Sequence, residues 1–328
     1  MRHSRIVALA AVLATAALTA MLALQGAGGR DAGAVVRYEY ESKYFKIRVV
    51  DYPDEGRRCL HFSRSRGVQS SMFLDDPVKL DLRYSKTMMA ALALKPEAKD
   101  LLLVGLGGAS IPKFIQKHFP DLRMDIVELD PDVVRVCQEY FAFKGTPNTR
   151  VVVMDGRMYF KRAEKKYDVI LLDAYAADHI PFHLTTREFI ALVKDRLKPG
   201  GLVASNLWEQ AVNRFYYAEL KTFQEAFPQV YLLPAGTSGN IIVFGSAETD
   251  PVSREEWVRR ARAVARGRDL GFDLGDLVGE EYRYYTDRPN AEKALTDDMA
   301  PIDTMRREHP KFFPGTGPDS GQEEPAAP

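Results

Sequence analysis

Residues 100–130 read DLLLVGLGGASIPKFIQKHFPDLRMDIVELD, and their reading decides the fold. A short apolar run over 101–104 meets glycines at 105, 107 and 108, passes into a helical pattern, and ends in a second apolar run closed by Glu128. The order is strand, glycine turn, helix, strand. Glycines serve a turn where the backbone approaches a ligand closely and where the next helix presents free N–H groups. Gly105, Gly107 and Gly108 are therefore candidate ligand-contacting residues. An acidic residue at the tip of the second strand can accept hydrogen bonds from both ribose hydroxyls, as in nucleoside-binding α/β folds. That makes Glu128 a candidate ribose ligand. A glycine turn with no ligand fits the same letters.

Downstream, apolar runs over 149–154, 167–172 and 202–207 predict strands, and helical spacing over 131–143, 186–197 and 212–227 predicts helices between them. Asp130-Pro131 opens the first of these helices, with proline at its first position. Such alternation indicates a parallel sheet covered on both faces. Two last strands, over 230–233 and 240–245, are joined only by PAGTSG and must pair antiparallel. The fold class is α/β: a Rossmann-like, methyltransferase-type sheet, mostly parallel with the last strand antiparallel.

Upstream, residues 35–74 alternate polar and apolar letters in short runs, with breaks at 41–43, 53–56 and 64–67. This predicts a small N-terminal β-hairpin domain. A helix over 80–94 follows and stops at Lys95-Pro96. The domain boundaries are then 35–95 for the hairpins and helix, 96–248 for the nucleoside-binding unit, 249–312 for a helical extension with a surface helix at 255–266, and 313–328 for a disordered tail.

Of 328 residues, 46% are apolar, enough to fill a core, and 45 basic residues balance 45 acidic ones, so no strongly charged face points to nucleic acid. Only two cysteines occur, Cys59 and Cys137, without the spacing of a disulfide framework or zinc site. Residues 6–24 carry no charge and follow Arg2 and Arg5, which reads as a cleaved signal or a single membrane anchor within 1–29. Either one would put the body on the exported side of the membrane.

Three carboxylates carry the chemistry. In an open α/β sheet, ligands bind beyond the carboxyl ends of the strands, where Glu128, Asp155 and Asp173 each end a predicted strand. Asp155 can accept from an exocyclic amine such as that of adenine, and Asp173 would stand beside the reacting centre. The competing reading for each is a helix N-cap. His179 and His183 straddle Pro181 and do not share a helical face, so DAYAADHIPFH reads as a loop over the ligand and no metal is expected. His179 is a candidate acid, base or substrate contact.

Together, the hairpin sheet, the glycine turn, VELDPDVV, Asp155-Gly156, YDVILLDAY and the late Ser238-Gly239 before a strand resemble the spermidine synthase (polyamine aminopropyltransferase) family. DHIPFHLTTREF and LTDDMAPID resemble its branch found alone or fused to bacterial membrane transporters. The resemblance implies attack by an amine on the aminopropyl group of decarboxylated S-adenosylmethionine, with Asp173 as base and Tyr84 orienting the amine. It also implies Glu128, Asp155 and Gly156 around the nucleoside, and a homodimer. The departures are selective. Gly108 stands where the family has the aspartate for the aminopropyl ammonium, Ser85 replaces a glutamine, Ala176 a second aspartate, and Gly236 a tyrosine. Asp178 or His179, with Ser238, would have to serve the acceptor. Each lost charge-assisted hydrogen bond costs about 1.5–3 kcal/mol. Three functions follow as expectations: a spermidine synthase-like transferase acting on an amine; a methyltransferase using S-adenosylmethionine on an unknown acceptor; and a non-catalytic, membrane-associated protein that senses a nucleoside or polyamine, or steadies a transporter.

Overall fold

In the computed structural model, which describes residues 33–62, 67–174, 181–236, 239–285 and 293–299, the alternating runs before residue 75 form four strands. These are β1 (Val35–Glu41), β2 (Lys46–Tyr52), β3 (Arg57–Phe62) and β4 (Ser70–Phe73), antiparallel in sequence order. Alternation sets the faces. Ile47 and Val49 are fully buried while Arg48 between them stays partly exposed.

The helix expected over 80–94 is two short ones, α1 (Arg83–Met88) and α2 (Ala90–Leu94). Between them Met89 donates its N–H to the Lys86 carbonyl. The Ser85 and Thr87 hydroxyls bond back to the carbonyls of Leu82 and Arg83, a competition that tightens and bends a helix. Leu80 bridges to Met72 in extended conformation, so the helix starts later than its apolar spacing suggests.

The second unit runs β5 (Asp100–Val104), α3 (Ser110–His118), β6 (Arg123–Glu128), α4 (Pro131–Tyr140), β7 (Thr149–Val153), α5 (Gly156–Arg162), β8 (Tyr167–Leu172), α6 (Arg187–Asp195) and β9 (Leu197–Trp208). It continues with α7 (Tyr216–Ala226), β10 (Gln229–Pro234), β11 (Asn240–Ser246), α8 (Arg254–Ala265), α9 (Leu274–Glu281) and β12 (Arg283–Tyr284). The sheet order is β12-β10-β11-β9-β8-β5-β6-β7. β7, β6, β5, β8 and β9 are parallel neighbours; β11 lies antiparallel between β9 and β10. One apolar cluster, with Phe114 and Val133, covers one face, and another, with Phe160, Phe189 and Phe223, covers the other.

Several boundaries moved for local reasons. β9 begins at Leu197, because Tyr167 pairs with it ahead of a register shift. α4 ends at Tyr140, where the N–H groups of Phe141 and Phe143 both turn to the Cys137 carbonyl and Ala142 takes a left-handed φ of 55°. α7 starts at Tyr216, because the Asn213 side chain takes the Phe215 N–H and holds the preceding residues in a turn. α8 is more than a surface helix. Its Trp257 is fully buried, donates to the Ala90 carbonyl at 3.1 Å, and packs edge-on against Phe244. Both cysteines are buried and free. Among the described residues no helix is long and apolar enough to cross a membrane; residues 1–29 and 313–328 lie outside them.

Candidate functional site

The site lies beyond the carboxyl ends of β5, β6, β7 and β8, where the parallel strands leave a crevice. Gly105 makes the first close approach. Its φ is 95°, and a Cβ there would lie 2.3 Å from the Asp173 carbonyl oxygen, so only glycine lets the turn pass under the tip of β8. At Gly108 a Cβ would lie 2.7 Å from that of Ser70, whose hydroxyl accepts the Gly108 N–H at 2.8 Å. The N-terminal sheet thus reaches into the turn through β4. The Gly107 carbonyl accepts from the buried Cys137 thiol at 2.7 Å.

Glu128 holds this turn from below. Its carboxylate accepts the N–H groups of Leu106 and Asp130, each at 2.9 Å. Burial raises its proton affinity, and the backbone donors oppose that shift. A carboxylate offers about four lone-pair sites, more than these backbone donors fill.

Asp155 fits the N-cap reading, accepting the Met158 N–H at 2.9 Å at the start of α5. Its other oxygen meets His183 Nε2 at 3.0 Å. Gly156 packs so closely on Val104 that a Cβ would lie 2.9 Å from its methyl group. His183 belongs to a 3-10 turn, Phe182–Leu184, whose position is tied to the far C-terminal segment. Arg157 donates to the His183 carbonyl at 3.0 Å and forks onto both carboxylate oxygens of Asp297. Thr186, the N-cap of α6, donates to the same Asp297 at 2.7 Å.

Asp173 follows β8, anchored by its own N–H to the Val104 carbonyl at 2.8 Å. Asn206 Nδ2 donates to its carboxylate at 2.9 Å, and the Tyr84 hydroxyl, shared with the Gln69 carbonyl at 3.5 Å, also favours its charged form. Asn240 in turn donates to the Asn206 carbonyl oxygen at 3.0 Å, which fixes the amide's orientation. Burial pushes the Asp173 carboxyl up to about 7, with the Asn206 and Tyr84 hydrogen bonds opposing it. Burial, followed by the nearby Asp173 charge, holds the Tyr84 hydroxyl well above its ordinary range. A carboxyl so placed can exchange a proton near neutral pH.

The structure gathers Gly105, Gly107, Gly108, Glu128, Asp155, Gly156, Asp173 and Tyr84 into one crevice. Ser85 stays with its own helix, donating to the Leu82 carbonyl. Asp178, His179 and Ser238 lie outside the described residues. Asn206, Asp297 and Arg157 escaped the sequence reading, although an asparagine inside the apolar run VASNLW is a signal that could have flagged the first. Among the described residues no group of three or more His, Cys, Asp and Glu is placed to hold a metal ion.

The sequence pattern of the spermine/spermidine synthase domain family matches residues 82–255. A polyamine aminopropyltransferase of Vibrio vulnificus (strain CMCP6) is 34% identical over 239 residues, covering 71% of this chain and 78% of that one. A spermidine synthase solved with the transition-state analogue AdoDATO shares the fold. It covers 75% of this chain and 84% of its own, with a TM-score of 0.63 at 20% identity. Human methyltransferase-like protein 13, solved with SAH, covers 64% of this chain and 98% of its own, with a TM-score of 0.53 and 26% identity.

Proposed function

Because the chain belongs to the spermine/spermidine synthase family and is thereby a transferase of that family, we propose that it moves the aminopropyl group of decarboxylated S-adenosylmethionine onto an amine, with Asp173 as the base. One observation carries this reading. At the strand tip, Asp173 is buried to a proton affinity near neutrality, aimed by the Asn206 amide, with Tyr84 also favouring its charged form. An ammonium has no lone pair. The Asp173 carboxylate takes its proton; the freed amine then forms the new C–N bond as the C–S bond breaks, and the sulfonium leaves as neutral methylthioadenosine. Tyr84 would also orient the amine. Glu128 would hold the ribose with the lone pairs its backbone donors leave open, and Asp155 the adenine amine, which requires the oxygen now paired with His183.

A second reading, methyl transfer from S-adenosylmethionine, has its own support. Residues 105–110 of the turn carry no acidic side chain, and Ser70 fills the space beside Gly108 where one would stand to receive the aminopropyl ammonium. Product analysis separates the two: methylthioadenosine marks aminopropyl transfer and S-adenosylhomocysteine marks methyl transfer. Asp173→Asn should lower the rate by roughly 10²–10⁴-fold. Glu128→Ala should weaken methylthioadenosine by more than about tenfold in calorimetry, the loss of a charge-assisted hydrogen-bond pair. Full turnover by Asp173→Asn would remove it from the mechanism.

A further inference from the structure

His183 has no role in the chemistry above, yet its imidazole stands in the crevice rather than in the core. Its side chain is 48% exposed, and that of Asp155 beside it 30%. His183 Nε2 meets Asp155 Oδ2 at 3.0 Å. A carboxylate can only accept, so this ring nitrogen carries the proton. The other Asp155 oxygen is already used, accepting the Met158 N–H at 2.9 Å. Both residues are held from behind. Asp155 is fixed as the N-cap of α5, and the backbone bearing His183 is held by Arg157, which donates to the His183 carbonyl at 3.0 Å and forks onto Asp297.

The pair therefore presents an acceptor and a donor side by side, 3.0 Å apart. A carboxylate alone asks only for a donor. A carboxylate with an N–H next to it asks for a flat group whose own donor and acceptor are adjacent. Adenine is such a group, because its exocyclic amine is flanked by ring nitrogens that accept, and a side-chain amide reads adenine by the same two-part contact. We propose that His183 is a specificity residue of the nucleoside site, donating Nε2–H to a ring nitrogen of adenine while Asp155 Oδ2 accepts from the neighbouring amine. The imidazole proton that now serves Asp155 turns to the base, and the amine takes its place on the carboxylate. No hydrogen bond of the pair is lost without replacement. This rests on the reading of the crevice as a nucleoside site and supplies the second half of its base recognition.

The test is calorimetric titration of the full chain with methylthioadenosine and its 1-deaza and 7-deaza analogues, each of which replaces one ring nitrogen beside the amine by C–H. Wild type, His183→Ala and His183→Gln are compared. Wild type should bind one of the two analogues about tenfold more weakly than methylthioadenosine, the worth of one such hydrogen bond. In His183→Ala, methylthioadenosine itself should weaken by about the same factor, and its advantage over that analogue should vanish. His183→Gln, whose amide keeps a donor at similar reach, should restore most of the advantage. The analogue that is penalised identifies the nitrogen. A substitution that only loosened the turn would weaken all three nucleosides alike and leave the advantage intact; that result would overturn the contact, as would a wild type that binds all three equally. Failure of wild type to bind methylthioadenosine at all would remove the nucleoside site and with it the transferase reading, so the two ideas fail by different signals.

Discussion

Asp173 is held by opposing forces whose balance sets the working pH. Burial favours its protonated form, while the Asn206 amide and the Tyr84 hydroxyl favour the carboxylate. A base must be unprotonated to act, so kcat/KM should rise between pH 6 and pH 8 with a midpoint near 7. Asn206→Leu removes a donor to the charged form, and the midpoint should move upward by about one unit, the size of one such hydrogen bond. Activity lost at pH 7 would then return at pH 9. A pH–rate profile checks this, and a downward or unmoved midpoint would mean that the amide serves something other than the carboxylate. At Asp155 the structure shows the N-cap reading, while contact with adenine would need the oxygen now paired with His183. One oxygen caps α5, and the other is turned into the crevice toward His183.

The element that ties the site together is the segment 293–299. Leu295 exchanges backbone contacts with α6 and α7, accepting the Arg187 N–H at 2.7 Å and donating to the Thr222 hydroxyl at 3.1 Å. Asp297 joins Arg157 at the start of α5 to Thr186 at the start of α6, and its own N–H goes to Glu188 at 3.0 Å. Through Arg157 it also steadies the turn that carries His183. Asp297→Ala would strand the partly buried Arg157, whose side chain is 14% exposed, and should lower stability by about 1–3 kcal/mol. Calorimetry should show methylthioadenosine binding weakened about tenfold, because the turn carrying His183, the partner of Asp155, loses the support that Arg157 gives it. Unchanged affinity in a destabilised protein would reduce the strap to a structural role. LTDDM was legible as a motif, but its docking place was not, since it contacts residues more than 100 positions earlier.

For the whole molecule, two sets of carboxylates pull stability in opposite directions with pH. Arg123 and Lys198 hold Asp100 below its ordinary range, and Arg58 with Arg37 does the same for Asp51. Their contribution is present above the unfolded carboxylate values and is lost as pH falls below about 4. Glu219 is the reverse case. Burial raises it to about 7, so the folded state holds its proton more tightly than the unfolded one, and stability declines as pH rises from about 4.5 to about 7. Thermal stability should therefore be highest near pH 5. Glu219→Leu should raise the melting temperature more at pH 8 than at pH 5, by up to roughly 3 kcal/mol of differential stability. An equal effect at both pH values would mean that the buried carboxyl is already compensated.

The letters of 100–130 were enough to determine the strand, the glycine turn, the helix and the acidic strand tip. Apolar periodicity over the rest was enough for the α/β class, the hairpin sheet and the antiparallel end of the second sheet. Those features are written locally, because burial on one face recurs every two residues in a strand and about every three and a half in a helix. Tertiary structure alone decided that β4 enters the glycine turn, that Tyr84 and Asn206 converge on Asp173, that α8 buries its tryptophan, and that Glu219 faces a cavity. Each of these joins residues far apart in the chain, and no spacing within a single segment encodes which distant side chain will close the contact.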